Sequence, residues 1–90
     1  MDGIGSIVSV FKATKDKKIF EVLYDIHYDK AFKKAYFILR DPLLCQDVVQ
    51  EAFIKAFTNI GKLRDNNKFS PWLLAIVEKE ALISIKNNFK

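Results

Sequence analysis

The chain predicts an all-α fold, and three observations carry that reading. Apolar residues recur at three- and four-residue steps over most of its 90 residues, no stretch alternates apolar and polar as a half-buried strand would, and the breaks fall at proline and glycine. Half of the residues are apolar and 13% aromatic, a composition that supports one folded domain rather than a disordered tail. At this length the core is real but small, so stability should be modest. The expected architecture is a compact bundle of three to four helices, with residues 1–17 as an N-terminal arm or short helix and 18–90 as the helical domain.

The first segment, "MDGIGSIVSVFKATKDKK", sets two glycines and two serines around the patch Ile4, Ile7, Val8 and Phe11, then a lysine run. It reads as a short helix or a frayed arm. Lys12, Lys15, Lys17 and Lys18 either touch phosphate or keep a helix end solvated, and solvation is the favoured reading. From Ile19 the helical period is steady through Phe20, Leu23, Tyr24, His27, Tyr28, Ala31, Phe32, Ala35, Tyr36 and Leu39, which gives one long helix or two in line.

"RDP" at 40–42 breaks that helix and opens the next. The residue before a proline disfavours helical backbone, Asp41 can cap, and Pro42 suits a first turn. The second helix is expected to run from Pro42 to about Ile60 over Leu44, Val48, Val49, Ala52, Phe53, Ala56, Phe57 and Ile60, with Gly61 as its stop. "GKLRDNNK" at 61–68 is a basic turn. A third main helix follows in "FSPWLLAIVEKEALISIKNNFK", with Ser70 expected as N-cap and Pro71 in the first turn.

Charge is unevenly placed. The net +4 divides into +3 over residues 1–40, −2 over 41–60 and +3 over 61–90. Two kinds of surface are implied, one acidic and one basic, and the basic excess is compatible with nucleic acid. The lone Cys45 excludes an internal disulfide and stands in no zinc-type cluster, so it reads as a small buried apolar residue. His27 has neither a second histidine nor a cysteine nearby and reads as a satisfied, partly buried side chain. No apolar run reaches the ~20 residues needed to cross a bilayer and no leader pattern opens the chain, so a cytoplasmic protein is expected. Catalysis has no foothold: there is no glycine-rich phosphate loop and no nucleophile with a base, and no cofactor, metal or small-molecule substrate is implied.

On the second helix, Asp47, Gln50, Glu51, Ile54, Lys55 and Thr58 cluster opposite the apolar stripe. Taken alone, such a face is a solvated one. Its neighbours change the reading. "FEVLYDIHYDKAFKKAYFILRDP", "DVVQEAFIKAF" and "KFSPWLLAI" together resemble, in order and spacing, the second conserved region of bacterial sigma factors of the extracytoplasmic-function type, over about Phe20 to Lys86.

That resemblance implies a domain that docks on the clamp helices of the RNA polymerase β′ subunit, with Asp47, Gln50 and Glu51 as polar contacts and Ile54 as an apolar centre. It implies that the loop and third helix read and help to melt the minus-ten promoter element through the non-template single strand. Lys62, Arg64, Asn66, Asn67 and Lys68 would supply cations and amides, Phe69 and Trp72 flat surfaces for a base, and Lys79 and Lys86 further positive charge. The third helix departs from the family, which carries an aromatic, arginines and an asparagine where this chain has Leu74, Ala75, Glu78, Lys79 and Glu80. With Glu78 and Glu80 expected on the DNA side, affinity for DNA should be weak. An anti-sigma protein is implied as a further partner. The helix-turn-helix that contacts the minus-thirty-five element has no counterpart here, so either the chain is a domain of a longer factor or a separate subunit supplies that contact. A different class of function competes: a helical interaction module that does not bind DNA and whose apolar third helix, Trp72 to Val77, packs on a protein partner. A third possibility, a membrane-surface helix at 69–90, is disfavoured by Glu78 and Glu80.

Overall fold

The computed structural model describes residues 3–88 and contains four α-helices among them: α1 Gly3–Thr14, α2 Lys17–Leu39, α3 Pro42–Thr58 and α4 Phe69–Asn88, with two 3₁₀ turns, Ile60–Lys62 and Asn66–Lys68, between α3 and α4. The last two residues of the "KNNFK" tail lie outside the described residues. The all-α bundle expected from the periodicity is the architecture observed.

Each junction has a local cause. Lys15 adopts the left-handed conformation (φ 54°) and its N–H closes on Phe11 O at 2.8 Å, after which the Asp16 carboxylate accepts from Lys18 N and starts α2. Arg40 (φ 57°) ends α2 in the same way, its N–H on Tyr36 O. Asp41 then accepts from Leu43 N at 2.9 Å and Leu44 N at 3.3 Å, with Pro42 in the first turn of α3, as "RDP" predicts. Because only Arg40 and Asp41 separate α2 from α3, the two helices fold back on each other. Phe20 meets Phe57 at 4.3 Å between ring centroids and Tyr24 meets Phe53 at 4.6 Å.

Two expected boundaries move. Gly61 does not stop α3; the helix closes at Asn59, whose N–H bonds Lys55 O, and Gly61 sits in a 3₁₀ turn at negative φ. Ser70 is not the N-cap of α4 but lies inside it, and the capping work falls to Asp65, whose carboxylate accepts from Asn67 N at 3.0 Å at the start of the second 3₁₀ turn. The Ser70 hydroxyl is committed elsewhere, 2.7 Å from His27 Nε2.

α4 runs parallel to α2, with His27 beside Ser70 and Lys34 3.6 Å from Glu78, and antiparallel to α3. The core between them holds Leu23, Ala31, Ala35, Cys45, Val49, Ala52, Phe53, Phe69, Leu73, Val77 and Ala81. Burial raises the Cys45 thiol pKa, consistent with a packing role. α1 closes one end of the bundle: Val8 and Phe11 are buried, and Phe11 packs edge-on against Phe57 at 5.0 Å and Phe20 at 6.5 Å. Among the described residues, Gly3–Thr14 is therefore a packed helix rather than a frayed arm. The 43 × 22 × 21 Å body places the 59–68 loop, α1 and the start of α4 together at this end.

Candidate functional site

α3 presents two faces. Val48, Val49, Ala52, Phe53, Ala56 and Phe57 are buried, while Asp47, Gln50, Glu51 and Ile54 are all exposed, Ile54 by 51%. An isoleucine half open to water among carboxylates and an amide leaves an apolar spot with a polar rim, the plan of a protein-binding patch. The patch extends beyond one helix. Toward α2 it opens into an apolar groove of about 310 Å³ lined by Phe20, Tyr24, Gln50, Phe53 and Ile54. Toward α4 it meets a more polar groove that includes Asp47, Glu51, Ile83 and Asn87.

Lys55, on the same face, is not a free cation. Its Nζ lies 2.8 Å from Glu80 Oε2, and this bond raises the lysine pKa. Glu80 is nearly buried against α3, its side chain 10% exposed. That corrects the expectation that Glu80 repels phosphate from the DNA side of α4: helix phase turns it inward, where Lys55 neutralises it. Glu78 is exposed, but its neighbour Lys34 at 3.6 Å offsets part of its charge.

At the end of the bundle, Lys62, Arg64, Asn67 and Lys68 are exposed and Asn66 is half-buried. The loop is anchored by Leu63 and Ile60, both buried. Asn66 Oδ1 is enclosed without a hydrogen-bond partner among the described residues. Arg64, Asp65, Asn66 and Asn67 form one wall of a cleft of about 660 Å³ whose other wall is Gly5, Ser6 and Ser9 of α1. Sequence reasoning missed those three α1 residues. The available signal was the spacing of small residues at Gly5 and Ser9, one helical turn apart, which lets a helix approach another segment closely.

Phe69 does not join this surface. It is completely buried, in contact with His27 at 5.0 Å, Phe57 at 6.1 Å and Trp72 at 6.1 Å, so its expected role as a stacking platform has no exposed face behind it. Trp72 is half-buried and retains some open surface. Lys79 and Lys86 are exposed but lie up the helix, about 15 and 25 Å from Phe69 along the axis, and flank a separate shallow groove with Ala75, Leu82 and Ile83.

His27, behind Phe69, is buried and satisfied. Its Nδ1 lies 2.8 Å from Leu23 O, an acceptor only, so Nδ1 carries the proton and Nε2 accepts from Ser70 Oγ. Burial lowers its pKa from the usual 6.5, opposed by the bond to Leu23 O and aided by Lys30.

A family model described as Sigma-70 region 2 matches residues 23–88. The chain belongs to the sigma-70 region 2 family. It is 39% identical over 61 residues to the ECF RNA polymerase sigma factor SigW of Bacillus subtilis, covering 68% of this chain and 33% of the relative. It is 36% identical over 61 residues to the RNA polymerase sigma-H factor of Pseudomonas aeruginosa, covering 68% of this chain and 32% of that protein. The chain thus spans about one third of the length of these curated relatives. No solved structure matches at a significant level. The matched region 2 segment takes in α3, the loop, α4 and most of α2, whereas α1 lies before it.

Proposed function

We propose that this region 2 domain acts in transcription initiation, docking on RNA polymerase through α3 and presenting the 59–68 loop to the melted minus-ten promoter strand. The single observation that carries the reading is the exposed set Asp47, Gln50, Glu51 and Ile54 on one face of α3, in a chain of this family and of net positive charge. Exposed carboxylates add little to folding, but they steer and orient a basic partner helix. Asp47 and Glu51 accept from arginines and lysines of the β′ clamp helices, Gln50 bonds in either sense, and Ile54 with the groove toward Phe20 and Tyr24 takes an apolar side chain.

At the loop, Lys62, Arg64 and Lys68 meet phosphates of the non-template strand, and an unstacked base enters the cleft beside Asn66 and Asn67, with half-buried Trp72 in the first turn of α4 as a partly open aromatic that follows the loop. Three phosphate contacts imply a log–log salt slope of about −2 for a single strand, a weak interaction that needs polymerase docking to be productive.

The competing reading, a purely protein-binding module, has one observation in its favour: Leu82 and Ile83 of α4 are 52% and 40% exposed. Amide chemical shifts of the isotopically labelled chain separate the two. Titration with a β′ clamp-helix fragment should move residues 47–54, and a single-stranded minus-ten oligonucleotide at low salt should move 62–72. Shifts confined to 75–86 with a protein partner, and none with the oligonucleotide, would favour the interaction module.

A further inference from the structure

α1 touches the loop at two points that its own packing does not require. Gly5 is buried, and a Cβ built there would lie 1.8 Å from Asn67 Oδ1 and 2.9 Å from Asn67 Cγ. Glycine is among the least helix-favouring residues, so its use inside α1 leaves room for the Asn67 amide rather than serving the helix. Two turns further on, Lys12 Nζ donates to Leu63 O. The loop is thus tethered near its middle by Lys12 and closely approached near its end by Gly5.

We propose that α1 is a positioning element for the promoter-reading loop, in which Gly5 sets the pose of the Asn67 amide and Lys12 fixes the backbone at Leu63 and Arg64. This rests on the promoter reading above and deepens it, assigning base discrimination partly to a helix outside the matched family region. The physical reason is preorganisation. A ten-residue loop with only two short 3₁₀ turns would have to be ordered by DNA at the cost of affinity, whereas tethered to α1 it meets the strand already ordered. Phosphate contacts supply affinity without sequence information, so displacing an amide should change base preference more than salt dependence.

The test uses the whole chain with three substitutions, Gly5→Ala, Lys12→Met and Lys12→Arg, read by amide hydrogen exchange and by binding of fluorescent single-stranded oligonucleotides that differ at one base. Exchange across residues 62–68 should quicken in Gly5→Ala and Lys12→Met. Affinity for the preferred oligonucleotide should fall about fivefold, the loss of one net hydrogen bond, and the preference between bases should flatten while the salt slope stays as in wild type. Lys12→Arg, which can still donate to Leu63 O, should restore both. In an Asn67→Ala background, Gly5→Ala should have no further effect on base preference. Unchanged loop exchange, or unchanged base preference in variants of a wild type that does bind, overturns the inference alone. No binding by wild type at low salt overturns the promoter reading and with it the use assigned to α1.

Discussion

Replacing His27 with phenylalanine tests whether the buried polar link between α2 and the start of α4 is structural and pH-sensitive. The new ring keeps the aromatic packing on Phe69, now 5.0 Å away and edge-on, but loses the bonds to Leu23 O and Ser70 Oγ. Leu23 O keeps a helical partner, whereas the Ser70 hydroxyl in its half-buried position must find another. With about 1 kcal/mol for each lost hydrogen bond and some recovery from a more apolar buried ring, the variant should lose about 1–2 kcal/mol at pH 7.5. For a domain of this size that lowers Tm by roughly 5–15 °C. The pH dependence fixes the cause. The folded-state pKa of His27 lies below its unfolded value of 6.5, so the unfolded chain binds the extra proton more readily. Its contribution to stability is therefore complete above about pH 6.5 and is lost as pH falls toward the lowered folded value. Wild type should lose Tm between pH 7.5 and 5.5 and the variant should lose less, narrowing the gap between them. Differential scanning calorimetry at four pH values measures this. A gap that stays constant or widens on acidification would refute the argument that His27 is held neutral by burial.

The other predictions concern stability at named contacts. Lys55→Met leaves the nearly buried Glu80 carboxylate without its cation and should lower Tm, while Lys55→Met combined with Glu80→Met should regain most of the loss, a non-additivity readable in a double-mutant cycle. Asp41→Ala removes the acceptor for Leu43 N and Leu44 N and should cost about 1 kcal/mol, seen as a lower urea midpoint with an unchanged slope. Phe11→Ala removes a buried ring from its contacts with Phe20 and Phe57 and should cost about 3–5 kcal/mol by chemical denaturation, a large share of the stability of so small a domain.

Features set by neighbours in the chain were legible in the sequence. The period from Ile19 to Leu39, the stop at Arg40 and the cap by Asp41 before Pro42 are all local, and all appear in the structure. Features that depend on residues distant in sequence were not. Ser70 before Pro71 has the local form of a cap, but His27, forty-three positions earlier, takes its hydroxyl. Glu80 looked like an obstacle to DNA until packing set it against Lys55 of α3. Phe69 opens an apolar helix, where an aromatic is more often core, and only the family resemblance makes it a stacking platform; the enclosure by His27, Phe57 and Trp72 decides for core. The outer face of α3 followed directly from helical spacing, because residues opposite a buried stripe must face out. The α1 wall of the cleft did not, since the approach of Gly5 to Asn67 joins positions more than sixty residues apart.

The central claim is that the outer face of α3 is a polymerase-docking surface. It is tested most directly by isothermal titration of the chain with a β′ clamp-helix fragment, comparing wild type with Asp47→Lys/Glu51→Lys. Both side chains are exposed, and Glu51 is only a minor electrostatic neighbour of Lys55, whose main partner is Glu80, so circular dichroism and Tm should stay close to wild type. Measurable binding by wild type that weakens with salt, and its loss on charge reversal, is the result predicted. Equal binding by the reversed variant would contradict the claim.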